Sequence, residues 1–211
     1  MSDPDATPAE LVVVRHGATA WNHSGRFQGR TDVPLDDVGR AQARAVGAGL
    51  MGERFDLAVA SDLGRARETA ELVLAGRPPA LELDARFREM DFGAWEGLTW
   101  AGIVEAQPEL AADAAGPREL RPPGGETFAQ VIARVEPALR GLCERAASEG
   151  LRRVLLVTHA GVLHAVLRVA LGDDAAALGA RFRPASASRF ALDRTGLRPL
   201  ELDRIFPGLG D

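Results

Sequence analysis

Two uninterrupted apolar runs constrain the fold of this chain more than any other feature of its sequence. They are Leu11–Val14 and Val154–Val157, and such runs are typical of strands that are buried on both faces of a sheet. A stretch with the helical spacing of apolar residues follows each run, at 36–50 and at 161–171. Strands that alternate with helices predict an α/β fold, a three-layer α/β/α sandwich with a mostly parallel central sheet.

The rest of the pattern fits this architecture. Short strands are expected at Asp56–Ala60 and Leu81–Leu83, and between them a helix that Asp62 caps and that ends near Leu74. A further short helix is expected over Thr99–Ala106. These elements continue the alternation of strand and helix along the chain.

The C-terminal half predicts a long helix and a hairpin. Apolar residues recur at helical spacing from Glu126 to about Glu149, with a kink expected at Pro137. The segments Ser188–Leu192 and Leu197–Leu202 alternate as the two strands of a hairpin near the edge of the sheet.

The chain of 211 residues is expected to form one domain over 11–211, after a disordered tail at 1–10. The stretch from about 92 to 125 is irregular, and Gly116–Gly125 contains three prolines and three glycines. We expect this stretch to be a small cap insertion beside the functional site.

Charge and composition restrict the partners. A net charge of −5 without a basic stripe argues against a nucleic-acid binder, so any anionic ligand should be small and held by a few local cations. Cys143 is the single cysteine, which excludes an intramolecular disulfide and a cysteine-based zinc site. The N-terminal residues lack a signal-peptide pattern, and the apolar runs are too short to cross a bilayer. We therefore expect a cytoplasmic protein with no membrane partner, and a homodimer is left open.

Three predicted strands end in residues that carry chemistry. The first ends in Arg15 and His16, the second leads to Arg65, and the third ends in His159, Ala160 and Gly161. The carboxyl ends of parallel strands meet at one rim of the sheet, so these side chains should converge. A guanidinium matches phosphate oxygens with two parallel hydrogen bonds, and a neutral imidazole is a nucleophile. The sequence therefore predicts a site for a tetrahedral phosphate dianion.

Six segments in this order resemble the histidine phosphatase superfamily, in its phosphoglycerate mutase-like branch. They are Leu11–Asn22, Arg26–Gly39, Ser61–Ala70, Arg88–Gly97, Pro123–Thr127 and Val157–Val162. The chain departs from the family pattern at Ala18, where Glu or Gln is frequent, and at Ala160, where Gly is common. Neither departure falls on a position to which the resemblance assigns catalysis.

The resemblance implies a role for each site residue. His16 would accept the phosphoryl group, which Arg15, Arg65, Asn22 and His159 would bind together with Ala160. Glu89 would protonate the leaving alcohol and then activate water, and Gln28 and Gly29 would line the entrance. No metal and no cofactor would be needed, because arginines and imidazoles supply the positive charge.

Each of these residues also has a purely structural interpretation. Arg15 could be an ion-pair partner, Arg65 a solvated helix residue, His159 a core histidine, and Glu89 the partner of a neighbouring arginine. Two other histidines are expected to lack a direct role, His164 in the core and His23 on the surface. Asp91 and Glu96 are expected to be structural, and contact of Trp95, Trp100, Arg118 or Arg121 with a substrate is left open.

The leading hypothesis is a phosphomonoesterase acting on small phosphorylated metabolites through a phosphohistidine at His16. The alternative is phosphoglycerate mutase-type transfer. Mutases of the family carry a longer and more basic stretch between the acid and the second histidine, whereas here Glu89 and His159 are 70 positions apart (159 − 89) and the cap between them has few cations and no lysine. A non-catalytic module that binds phosphorylated ligands is the third interpretation. The resemblance leaves broad-specificity, α-ribazole and sugar-phosphoglycerate phosphatases open as substrate classes.

Overall fold

The computed structural model of the protein describes residues 8–112, 121–193 and 196–207. Most of the expected N-terminal tail and Arg118 therefore lie outside the described residues. The first strand begins at Ala9, and Glu10 pairs in register with Arg153 and Ala191. Ala9 and Glu10 thus belong to the sheet and not to the tail, because both neighbouring strands extend far enough to pair with them.

One sheet of six strands forms the centre of the molecule, in the order β3-β2-β4-β1-β5-β6. The first four in this order run parallel, and β5 and β6 are antiparallel to their neighbours at one side. The strands are β1 (Ala9–Arg15), β2 (Leu57–Ala60), β3 (Leu81–Leu83), β4 (Arg153–Thr158), β5 (Ala187–Asp193) and β6 (Gly196–Arg204). The mostly parallel sheet and its terminal hairpin are confirmed.

Helices cover both faces of the sheet. They are α1 (Ala20–His23), α2 (Asp37–Gly49), α3 (Gly64–Leu74), α4 (Trp100–Ala106), α5 (Phe128–Glu149) and α6 (Ala160–Leu171). Alternate residues of β1 point to opposite faces: Leu11 and Val13 pack in the cluster that contains α5 and α6, and Val12 and Val14 pack in the cluster that contains α2 and α3. The continuous apolar run of β1 is thus explained by two cores, one on each face. The three-layer sandwich is confirmed.

The start of α3 differs from its prediction. Its N-cap residue is Leu63, which makes no side-chain cap hydrogen bond. Asp62, the expected cap, instead accepts hydrogen bonds from Arg88 at 2.7 and 2.5 Å. Both carboxylate oxygens of Asp62 are thus engaged by the guanidinium of Arg88 and do not cap α3.

The expected cap insertion is described over 92–112 and 121–125. It contains short 3₁₀ turns at Gly93–Trp95 and Pro108–Ala112, with α4 between them. Its two ends meet where the N–H of Ala94 donates to the carbonyl of Pro123 at 2.9 Å. This closure places the segment beside the carboxyl end of the sheet, where β1 and β4 are in register at Arg15 and Thr158.

Candidate active site

His16 lies directly after β1, and only 2% of its surface is exposed. The turn that follows it packs against the start of α2, where a Cβ on Gly17 would overlap the backbone of Gly39. This close approach fixes the imidazole, whose Nδ1 lies 2.7 Å from the carbonyl oxygen of Gly17. Because a carbonyl only accepts, Nδ1 carries the hydrogen and the lone pair of the neutral ring is on Nε2.

Arg65 lies in the first turn of α3 and is fully buried. Its guanidinium donates to the carbonyls of Gly29 at 2.7 Å and of Thr31 at 2.9 Å. Glu96 holds this loop in turn, since its carboxylate accepts from the N–H groups of Arg30 and Thr31, both at 2.8 Å. Glu96 is thus structural, as predicted, and it orients the residues that orient Arg65.

Arg15 and His159 lie beside His16. Arg15 donates from Nη1 to the carbonyl of Phe182 at 2.5 Å. His159 is fully buried, with its ring centroid 5.1 Å from that of His16 and its Nε2 at 2.8 Å from Oγ of Ser61. The ends of β1, β2 and β4 therefore bring together two imidazoles and two guanidiniums.

Both imidazoles are held in the neutral form. Burial, followed by the charges of Arg65 and Arg15, lowers the pKa of His16 well below its usual 6.5. Burial also lowers the pKa of His159 well below 6.5, with further contributions from Arg65, His16 and Arg15. A neutral His16 with its lone pair on Nε2 is a competent nucleophile at neutral pH.

Glu89 is buried, lines the same cavity as His16, and contacts the first turn of α6. Its carboxylate accepts from the N–H of Gly161 through both oxygens, at 3.0 and 3.2 Å, and from the N–H of Met90 at 2.9 Å. Arg134 donates to the backbone carbonyl of Glu89 at 3.0 Å and forms an ion pair with Glu126. These contacts fix both the main chain and the carboxyl group of Glu89.

The expected entrance residues and two expected phosphate-binding residues also lie at this site. Gln28 and Gly29, expected at the entrance, and Asn22 and Ala160, expected to bind the phosphoryl group, all line the same cavity as His16. The amide oxygen of Asn22 accepts from the N–H of Thr19 at 3.0 Å, so its NH₂ group is the part that can donate to a ligand. Gly29 has a φ of +56°, a conformation that favours glycine, and a Cβ there would overlap Glu96.

Three polar atoms around this cavity are buried without a hydrogen-bond partner in the described part of the chain. They are Nε of Arg65, Nδ1 of His159 and Oε1 of Gln28. An unsatisfied buried polar group costs about 1–3 kcal/mol. Two of the three are nitrogens beside His16, which is the arrangement that a bound anion would satisfy.

The cavity is larger than the predicted site. It has a volume of about 830 Å³ and includes residues that were not predicted to contact a ligand: Arg26, Phe27, Met90, Phe128, Ala129, Ile132, His164, Leu167 and Arg168. His164 was expected in the core, but it lines this cavity and packs edge-on against Phe182. Its position three residues after Gly161, on the helix that starts at the site, was the available signal.

Trp95, Trp100 and Arg121, for which substrate contact was left open, do not line the cavity in the described part of the structure, and neither does His23. Trp95 is buried and packs against Trp100, and Arg121 is exposed. His23 forms an exposed ion pair with Asp36 at 2.9 Å, as its surface interpretation predicted. Ala18, the departure beside the nucleophile, donates its N–H to Gln42 at 2.9 Å.

The described residues offer neither a cluster of metal ligands nor a membrane-spanning helix. Residues 8–112, 121–193 and 196–207 contain no cluster of three or more His, Cys, Asp or Glu side chains that could hold a metal ion. Among the helices in these ranges, none combines the length and apolar character that a bilayer crossing requires.

The family model of the histidine phosphatase superfamily (branch 1) matches residues 11–203. The chain belongs to this superfamily. This histidine phosphatase is 37% identical over 175 residues to a metal-independent phosphoserine phosphatase of Arabidopsis thaliana, covering 80% of the chain and 72% of that protein. It is 39% identical over 169 residues to a bifunctional protein of Mycobacterium tuberculosis, where the match covers 78% of the chain but only 45% of that longer protein.

Solved structures of related proteins share its fold. A mycobacterial glucosyl-3-phosphoglycerate phosphatase in complex with VO₃ is 30% identical, with a TM-score of 0.78 over 92% of this chain and 98% of that one. A phosphoglycerate mutase from Bacillus anthracis is 26% identical, with a TM-score of 0.81 over 94% of each chain. The histidine phosphatase thus resembles both phosphatases and mutases, and the identity of its substrate must be argued from its own residues.

Proposed function

We propose that this histidine phosphatase is a metal-independent phosphomonoesterase that transfers the phosphoryl group of a small metabolite to Nε2 of His16 and then to water. The neutral, buried His16 between the guanidiniums of Arg15 and Arg65 is the observation that carries this proposal. The segment 92–125 acts as a cap insertion, and Phe92 supplies part of the cavity wall.

In the first step, Nε2 of His16 attacks phosphorus while the bond to the leaving oxygen breaks. Glu89 enters as the carboxylic acid and gives its proton to the leaving alkoxide, a transfer that contributes about 10²–10⁴-fold. Arg15, Arg65 and the NH₂ group of Asn22 bind the equatorial oxygens. Fixed positive donors of this kind stabilise the charge of the transition state.

His159 supplies a further donor to the phosphoryl group. Oγ of Ser61 accepts from the N–H of Leu63 and lies 2.8 Å from Nε2 of His159. We assign the serine hydroxyl hydrogen to this second contact, so that the hydrogen of His159 is on Nδ1. The buried, unsatisfied Nδ1 would then donate to the phosphoryl oxygen.

In the second step, water replaces the alcohol. The carboxylate of Glu89 takes a proton from the water molecule while the oxygen of that water bonds to phosphorus. The bond between phosphorus and Nε2 of His16 breaks in the same step. The products are inorganic phosphate and neutral His16, and Glu89 again carries its proton. A mutase would instead keep the phosphorylated intermediate from water until a second substrate oxygen attacks.

The decisive experiment compares wild-type protein with His16→Ala. Phosphate release from small phosphate esters, phosphoserine included, should persist in excess chelator and fall below detection in the variant. A phosphoenzyme that is stable to denaturation and labile to acid should form in the wild type only. Loss of activity on chelation, or faster interconversion of 3- and 2-phosphoglycerate than phosphate release, would contradict the proposal.

A further inference from the structure

One end of the cavity extends well beyond the residues that would hold a phosphoryl group. We call this region the distal lobe; its walls include Phe128, Ala129, Ile132, His164, Leu167 and Arg168. The whole cavity, at about 830 Å³, is in the range of pockets that enclose drug-sized ligands, about 300–1,000 Å³. The phosphoryl group and a short alcohol would leave the distal lobe unfilled.

The walls of the distal lobe are mainly apolar. Phe128, Ala129 and Ile132 come from the first turns of α5, which packs against α6, and Leu167 comes from α6 itself. Phe128 and Ile132 are only partly buried although they contact the apolar core. A ligand with an apolar body would remove their remaining surface from water, which is favourable.

Helix α6 sets the distance between the phosphate site and the polar end of the lobe. Ala160 begins α6 beside His16, and His164 and Arg168 follow at intervals of four residues on the same cavity wall. At 1.5 Å per residue, Arg168 lies about 12 Å along the helix from Ala160. A ligand that extends from the phosphate site along α6 therefore meets the guanidinium of Arg168 in the distal lobe.

The guanidinium of Arg168 can exchange its ion-pair partner Asp173 for an anionic group of a ligand. Its Nη1 lies 2.5 Å from Oδ1 of Asp173, but the side chain of Asp173 is 95% exposed. An ion pair that is open to solvent contributes only about 0–1 kcal/mol, so a ligand anion can replace Asp173 at little cost. Phe182 also connects the lobe to the phosphate site, because its ring packs on His164 and its carbonyl accepts from Arg15.

From these contacts we infer that the distal lobe binds the leaving group of the substrate. That group has an apolar body of several carbons and ends in a carboxylate or similar anion, which Arg168 binds about two helical turns of α6 beyond the phosphate site. The inference rests on the proposed function and names its substrate class: a phosphomonoester of a long hydroxy acid.

Two matched series of phosphate esters test this inference. Every ester in them has an alkoxide leaving group, so differences in kcat/KM report on binding of the chain and not on the chemistry of the leaving group. The first consists of n-alkyl phosphates of increasing length, and the second of the same chains with a terminal carboxylate. In both series kcat/KM should rise with length, by up to about fourfold for each fully buried methylene. The carboxylated series should exceed the alkyl series only where the chain reaches Arg168. A kcat/KM that is independent of length would overturn the inference.

Two variants locate the effect. Arg168→Gln should lower kcat/KM by up to about fivefold for the long carboxylated ester and less than about twofold for the matched alkyl ester. Ala129→Trp should fill the lobe and abolish the advantage of long chains, while its control Ala133→Trp, also exposed on α5 but outside the cavity, should not. Equal effects on both series, or equal effects of the two tryptophans, would refute the assignment.

The outcome also separates this inference from the proposed function. Ethyl phosphate reaches only the phosphate site, so its His16-dependent hydrolysis tests the proposed function alone. If ethyl phosphate is hydrolysed but length and carboxylate have no effect, the inference fails and the phosphatase remains. If no ester of either series is hydrolysed in a His16-dependent manner, both fail.

Discussion

The backbone N–H of Gly161 lies between the two carboxylate oxygens of Glu89, at 3.0 and 3.2 Å. Gly161 is also the residue at which any side chain would overlap Oε1 of Glu89. Gly161, from the motif that follows β4, thus holds the carboxyl group of Glu89, which belongs to a different motif 72 positions earlier. The position of the Glu89 carboxyl group therefore depends on the main chain of α6.

Replacing Glu89 by Gln should remove the proton donor and keep the shape of the side chain. We expect kcat for an alkyl phosphate to fall by about 10²–10⁴-fold. The fall should be much smaller for 4-nitrophenyl phosphate, whose leaving group needs no proton. Steady-state kinetics with both esters measures the difference, and equal losses would show that Glu89 is not the acid.

Gly161→Ala should displace the carboxyl group of Glu89 and reproduce part of this selective loss. The matched control is Gly141→Ala, since Gly141 also lies inside a helix but a Cβ there meets nothing within 4 Å. The control should keep full activity and unfold at slightly higher urea, because alanine stabilises a helix by about 0.5–1 kcal/mol relative to glycine. Undiminished kcat in Gly161→Ala would contradict the role of this contact.

Glu96→Gln should weaken phosphate binding without removing a residue that touches substrate. The glutamine would turn an amide NH₂ toward backbone N–H groups of the loop that holds Arg65, at a cost of about 1–3 kcal/mol. We expect a higher Kd for inorganic phosphate by calorimetry, with Glu105→Gln, an exposed change on α4, as the control. Identical Kd values in the two variants would exclude this positioning role.

The buried imidazoles should make the protein less stable in mild acid. Burial and the charges of Arg65 and Arg15 lower the pKa values of His16 and His159 well below 6.5 in the folded state, whereas the unfolded chain titrates near about 6.5. Well above pH 6.5, both histidines are neutral in the folded and in the unfolded chain. Below it the unfolded state binds more protons, so the free energy of unfolding falls as pH decreases toward the folded pKa.

Urea unfolding in phosphate-free buffer at pH 7.5 and pH 5.5 measures this loss. The His16→Asn variant should lose less stability than the wild type over the same interval, by on the order of 1 kcal/mol. An equal loss in both proteins would mean that His16 is protonated in the folded state.

Much of the architecture could be predicted because its causes are local in sequence. The apolar run of β1 requires two buried faces, and the parallel arrangement then brings Arg15, Arg65 and His159 to one rim. The roles of these residues in catalysis stay predictions until they are measured. Their convergence, however, follows from strand order alone.

Contacts between distant segments could not be predicted from spacing. Asp62 resembles a helix cap in sequence, yet its partner Arg88 lies 26 positions away. Glu96 binds a loop 65 positions away through backbone N–H groups, which every residue except proline has and which no sequence motif identifies. Only the helical repeat of His164 and Arg168 after Ala160 offered a signal for the distal lobe, and it required knowing that α6 begins at the site.

The guanidinium of Arg65 is wholly enclosed and already held by two main-chain oxygens. Its desolvation therefore takes place once, when the polypeptide folds, and not at each turnover. In the proposed reaction, a substrate that binds Arg65 meets a guanidinium that the two carbonyls have already oriented. No side chain has to rearrange there before the bond to the leaving group breaks. In the proposed reaction, the desolvation of this cation is thus supplied by the free energy of folding, and none of it is left to the binding of substrate.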